Sequence, residues 1–246
     1  MELLSTFYYQ QENNRISLLL QQYHYRKVNV LFSCICSGRG ELAERAARYM
    51  TEQLLRWFRS LPLSKICRRK GKELAGIGED LRKVIWRTDR ELESSRMMAG
   101  RDKIDLTGIF CLQDRCLMLH RGTGHICLIN KAFGRVHIHS VYEDMCGSKH
   151  LNYKIQEQDI SAENTELGNK NSLSIDMEEA FLESDIVLLL ASASFWMGVT
   201  EEMIKDGLSA EAVGTEEQME RHLKEIGREA ERCGGENMGA VLLRTC

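Results

Sequence analysis

Apolar and polar residues change their spacing several times along the chain, and each change marks an element. Residues 16–22 and 28–35 concentrate Ile, Leu, Val and Phe on either side of the polar stretch Gln21–Lys27, which predicts two antiparallel strands joined as a hairpin. From Glu41 to Ser60 the period lengthens: Leu42, Ala46, Tyr49, Met50, Leu54, Trp57 and Phe58 recur at helical spacing and predict an amphipathic helix. Pro62, the only proline, breaks the chain after it. A second long helix is expected from Glu73 to about Met98, with Leu74, Ile77, Leu81, Val84, Ile85 and Leu92 inward and Glu79, Arg82, Lys83, Arg87, Asp89 and Arg90 on a solvated face. Trp57, Phe58 and Trp86 read as core residues of these helices.

The period then shortens. Leu106–Leu112, Cys116–His120, His125–Asn130 and Arg135–Ser140 are β-type runs separated by polar or glycine-bearing turns, a meander of antiparallel strands. Residues 141–172 are polar and predict a mobile excursion over the surface. A strand at Ile186–Ser192 leads to a helix beginning near Thr200, a charged helix at 215–232 ending at Cys233-Gly234-Gly235, and a closing strand at Ala240–Arg244. Blocks of strands and helices, segregated rather than alternating, give an α+β class with two antiparallel sheets covered by helices.

Composition narrows the classes of function. The 246 residues carry 43% hydrophobic content, ample for a core, and show no interdomain linker, so residues 1–246 are read as a single domain. A net charge of -3 gives no global field for nucleic acid or a membrane surface, and Ile186–Ala191 is far short of the roughly 20 apolar residues of a membrane span. The start Met-Glu-Leu-Leu lacks the order of a secretory signal, so a reducing cytoplasm is the expected location. Nine cysteines scattered through apolar segments read as buried small hydrophobes rather than a disulfide framework.

Six segments, which follow one another along the chain in the family's order, carry a resemblance. The turn Ser192-Ala193-Ser194-Phe195-Trp196 resembles the Ser-Asp-Gly-Phe-Trp turn of the metal-dependent, type 2C (PPM) protein serine/threonine phosphatases. Glu12-Asn13-Asn14 is similar to the family's opening Arg-Glu-Asn-Asn-Glu-Asp, and residues 31–48 to its Phe-x-Val-x-Asp-Gly-x-Gly-Gly strand entering a helix. Leu106-Thr107-Gly108 and the turn His120 to His125 resemble its Gly-Thr-Thr strand and Gly-Asp-Ser-Arg turn, and Gly234–Leu243 its Asp-Asn-Ile-Thr-x-Val-Val ending. The resemblance implies a four-layer α-β-β-α sandwich with the active site at one end between the sheets, and residues 141–172 as a flap beside it.

Active members of that family hold two magnesium or manganese ions on aspartates and bind phosphate with an arginine. By the resemblance, Gln11 stands at the arginine position, Ile16 at the first aspartate, Cys36 at the bridging aspartate, Ala193 at a later one, and Glu236 at the last. Thr123 and His125 replace the aspartate and arginine of the Gly-Asp-Ser-Arg turn, and no aspartate occurs before Asp80. Two ions bring four positive charges, which one carboxylate cannot offset, and a cysteine thiol is a soft ligand for such hard cations. The expectation is no binuclear metal centre, no cofactor and no catalytic residue.

Three functions follow from this frame. The first is a pseudophosphatase that binds a protein, a phosphoprotein or a kinase. The second is a slow phosphoserine/phosphothreonine hydrolase using one metal held by Glu236 and backbone oxygens. The third is a small-ligand sensor using the vacated cleft. Other candidate chemistry has a plainer reading: His137 and His139 as exposed strand histidines rather than zinc ligands, Cys36 as a buried thiol rather than a nucleophile, and the basic run Lys65 to Lys72 as a solvated loop. Phe195 and Trp196 fit equally a plug for the vacated pocket and the lining of a binding surface.

Overall fold

The computed structural model describes residues 2–10, 15–39, 42–67, 74–95, 103–132, 135–140 and 175–246. Their elements are, in chain order, β1 (Leu3–Gln10), β2 (Ile16–Tyr25), β3 (Val28–Arg39), α1 (Ala43–Ser60), α2 (Leu63–Ile66), α3 (Leu74–Ser94), β4 (Lys103–Leu112), β5 (Arg115–Arg121), β6 (His125–Ala132), β7 (Arg135–Ser140), β8 (Asp176–Phe181), β9 (Val187–Ala191), α4 (Ala193–Met197), α5 (Glu201–Gly207), α6 (Glu216–Arg232) and β10 (Met238–Thr245). The expected excursion at 141–172 lies outside the described residues.

The strands form two antiparallel five-stranded sheets, β2-β3-β4-β5-β8 and β1-β10-β9-β6-β7. Side chains alternate across a strand, so each sheet sorts its residues to two faces. Ile16, Ile35, Ile109 and Met118 of the first sheet meet Ile126, Leu190 and Val241 of the second in a core between the sheets. The opposite face of the first sheet, with Phe32, Cys34, Cys36, Leu106 and Phe110, is covered by α1 and α3. The outer face of the second sheet, with Leu189, Ala240 and Leu242, is covered by α4 to α6 through Phe195, Met219 and Leu223. Three cores between four layers give the expected α-β-β-α sandwich.

Several boundaries move, each for a physical reason. The first hairpin turns at Arg26-Lys27, with Arg26 at φ 57, so Gln21–Tyr25 belongs to the strand. Two strands escape an apolar-run criterion: β1, half exposed along its length, and β8, whose Asp-Met-Glu-Glu sequence suits an outermost position. Trp86 is not a core residue. It stands 58% exposed on the outer face of α3 with the Arg90 guanidinium 4.8 Å from its ring centroid, a cation–π contact. Trp57 and Phe58 are buried as expected, packed on Phe32 with centroids 5.3 and 5.7 Å away.

Helix ends follow their cap chemistry. The Thr200 hydroxyl accepts from the Met203 N–H, and Thr215 and Gln218 form a reciprocal capping box at the start of α6. Gly234 takes φ +90 just after α6, the left-handed conformation that glycine adopts without penalty. The described ends of the chain lie side by side, with Glu2 and Cys246 exchanging backbone hydrogen bonds of 3.0 and 2.9 Å. Among the described residues, no helix is long and apolar enough to cross a membrane.

Candidate functional site

One pole of the sandwich gathers the start of β2, the end of β3, the start of β4, the β5–β6 crossover, the end of β9 and the start of β10. Register decides which side chains reach it. Ile16 pairs with Ser37, and Ser37 with Asp105, so these three form one rung across β2, β3 and β4. Ile16 and Ile35 belong to the core between the sheets, so alternation places Ser37 and Asp105 on that same inner face. Cys36 belongs instead to the helix-facing core and is fully buried there. The resemblance aligns Cys36 with the bridging aspartate, but the side chain that β3 presents at the pole is that of Ser37.

Ile16 is 5% exposed and fills space between the sheets. Its Cγ2 lies 3.3 Å from where a Cβ on Gly239 would stand, so a side chain at 239 would have to push Ile16 aside by a few tenths of an ångström. The crossover Gly122-Thr123-Gly124 passes from the first sheet to the second over Asp105 and Thr107. Thr123 Oγ1 donates to Asp105 Oδ2 at 2.6 Å. Gly122 sits at φ +96, and a Cβ there would fall 2.0 Å from Asp105 Oδ1. A Cβ at Gly124 would fall 2.0 Å from Thr107 Oγ1. His120 Nε2 lies 2.8 Å from the Gly124 carbonyl oxygen, which can only accept, so the ring proton is on that nitrogen.

The turn after β9 is a short helix, α4, rather than a loop. Ser192 ties it down from both sides, its N–H donating to the Gly239 carbonyl at 2.9 Å and its Oγ accepting from the Gly239 N–H at 3.1 Å. Ala193, partly buried, opens α4 and brings only a methyl group. Phe195 is 0% exposed in the outer helix core, 6.3 Å from the Tyr8 ring, so it neither plugs the pole nor lines a surface. Trp196 is half-buried, edge-on to His125 at 5.7 Å. Glu236 is exposed and precedes buried Asn237, whose φ of 54 turns the chain into β10. Gln11 and Glu12 lie outside the described residues, and so do the side chains of His137 and His139.

Behind the pole, a charge pair missed by the sequence reading holds α3 against the first sheet. Arg121 Nη1 donates to Asp89 Oδ2 at 2.5 Å, with side chains 4% and 15% exposed, and Arg121 Nε donates to the Ile104 carbonyl. Asp89 is therefore not on a solvated helix face. Burial pushes its carboxyl above the ordinary range, and the Arg121 guanidinium opposes that rise. A hydrogen bond with Cys36, together with burial, holds Cys34 as a thiol.

No protein-family model matches the chain, and no curated protein matches its sequence. Solved structures do match. A bacterial serine phosphatase carrying a point substitution superposes with a TM-score of 0.70 at 17% identity, covering 100% of this chain and 99% of the other. Stp1, a serine/threonine phosphatase of Staphylococcus aureus, gives 0.69 at 16% identity over 100% and 96% of the two chains. The catalytic domain of the phosphatase PstP, in complex with two manganese ions, gives 0.60 at 18% identity over 98% of each. The chain has the fold of the PPM-type serine/threonine phosphatases.

Such a fold raises the question whether this pole suits a pair of divalent cations, which need clustered oxygen ligands. Here a branched alkyl chain at Ile16 and a methyl at Ala193 supply no lone pair, the Asp105 carboxylate is engaged by Thr123, and Glu236 is exposed. No three His, Cys, Asp or Glu side chains converge among the described residues. The donor set of the described residues does not fit a two-ion centre. Among the described residues, Asp105 is a pole acid that a β4 starting at Leu106 leaves out. Counting back from the Gln113-Asp114 turn in steps of two would have put 105 on the inner face.

Proposed function

We propose that this chain is a catalytically inactive relative of the PPM-type phosphatases, a cytoplasmic pseudophosphatase that acts by binding a protein, either a phosphoprotein or a kinase. The observation behind this reading is the rung Ile16-Ser37-Asp105: at the pole where the family's resemblance expects metal-binding aspartates, the first position is a buried isoleucine. A hydrolytic water needs a cation to lower its pKa or a base to take its proton, and Ile16 and Ala193 offer neither. In a phosphate-release assay with saturating manganese, turnover is expected at the buffer rate. Robust turnover lost on Glu236→Ala would end the proposal.

A second reading, a slow hydrolase with a single metal, draws support from Asp105, a carboxylate on the inner face of the same pole. Calorimetric titration with manganese separates the two, since uptake at the pole belongs to the hydrolase alone.

A further inference from the structure

Five contacts converge on the pole. Thr123 donates to Asp105 at 2.6 Å. The Asp105 carboxylate fills the space over Gly122, and the Thr107 hydroxyl fills the space under Gly124. Ile16 packs on Gly239 across the two sheets, and the Ser192 hydroxyl accepts the Gly239 N–H. A carboxylate taken out of water is costly unless hydrogen-bonded, and a threonine hydroxyl donates without bringing a charge of its own. Glycines at 122 and 124 are what allow two of these approaches, because any side chain there would overlap an oxygen atom.

We infer that the pole is closed by protein groups alone, with Asp105 as the residue that pins the β5–β6 crossover to β4 at the pole where the family resemblance implies metal-binding aspartates. This inference rests on the reading of an emptied site and adds what has replaced the ions. Asp105 is then a structural clamp, and its role needs a hydrogen-bond acceptor rather than a charge. A metal ligand at the same position would need the charge. Asparagine separates the two, since its amide oxygen still accepts from Thr123 but ligates manganese poorly.

The test is thermal unfolding of the full chain, in EDTA and in millimolar manganese, for the unmodified protein and for Asp105→Asn, Asp105→Ala and Thr123→Val. The expected result is one melting temperature with and without manganese, a small loss for Asp105→Asn, and a loss of roughly 3–10 °C for Asp105→Ala and Thr123→Val. The double variant Asp105→Ala with Thr123→Val should lose less than the sum of the two single losses, because the two residues share an interaction. A rise with manganese that Asp105→Asn abolishes would make Asp105 a ligand and overturn the clamp. Unchanged melting in both Asp105→Ala and Thr123→Val would overturn it too. Phosphatase turnover that survives Asp105→Asn, with the melting results as expected, would remove the inactive reading and leave the clamp standing.

Discussion

Arg121 and Asp89 show how a single buried pair can be worth more to the fold than its surface counterparts. Exposed i,i+4 pairs such as Lys83–Glu79 and Lys224–Glu220 are screened by solvent and contribute little. Arg121→Ala, by contrast, leaves a buried carboxylate without its guanidinium, and a cost of about 3–5 kcal/mol is expected in urea denaturation at pH 7. The same variant has a pH signature. Burial already raises the Asp89 carboxyl above its unfolded value, and removing Arg121 removes the largest opposing influence, so the native state holds its proton more readily than the unfolded chain. The deficit should therefore narrow as pH falls from 7 toward the raised value, and a deficit independent of pH would contradict this account. Residue type is a poor guide to facing here: tryptophan reads as inward and aspartate as outward, yet the buried stripe Leu81, Ile85, Thr88 and Leu92 leaves Trp86 in solvent and carries neighbouring Asp89 to Arg121.

At the scale of elements, helix α6 shows a local propensity losing to packing. Glycine inside a helix costs about 1 kcal/mol relative to alanine, so Gly227→Ala should stabilise α6 in isolation. In the fold a Cβ at 227 would stand 2.5 Å from the Tyr8 ring, whose hydroxyl is held by Glu231, so the ring cannot simply swing away. Net destabilisation is expected, read as a lower melting temperature, and an increase would show that β1 yields to the helix. Strands taught the other lesson. Element types were legible because Ile, Leu, Val and Phe mark the inner faces, and the cap at Thr200 announced its helix. Facing was less legible. The hairpin turn sits at Arg26-Lys27, the far end of the polar run Gln21–Lys27, and in a strand of period two a slip of one residue exchanges the faces, which is the whole difference between Cys36 and Ser37.

For the whole molecule, the three cores make a forecast about thiol chemistry. Of the described cysteines, Cys233 and Cys246 are exposed, while Cys34, Cys36, Cys67, Cys111, Cys116 and Cys127 are buried. Burial also raises the Cys111 and Cys116 thiols, the latter to about 12, so little thiolate is present at neutral pH. Alkylation of the native protein, mapped by mass spectrometry, should label 233 and 246 rapidly and those six only after unfolding. Rapid labelling of Cys36 would reopen its reading as a nucleophile. The side-by-side chain ends carry a practical corollary. Strand β10 begins at Gly239's side of the pole and runs to Thr245, so about seven residues, roughly 24 Å of extended strand, separate the rung from the termini. A fluorophore, resin or second protein tethered at either end would point away from the rung, leaving that surface free to be interrogated by whatever it binds.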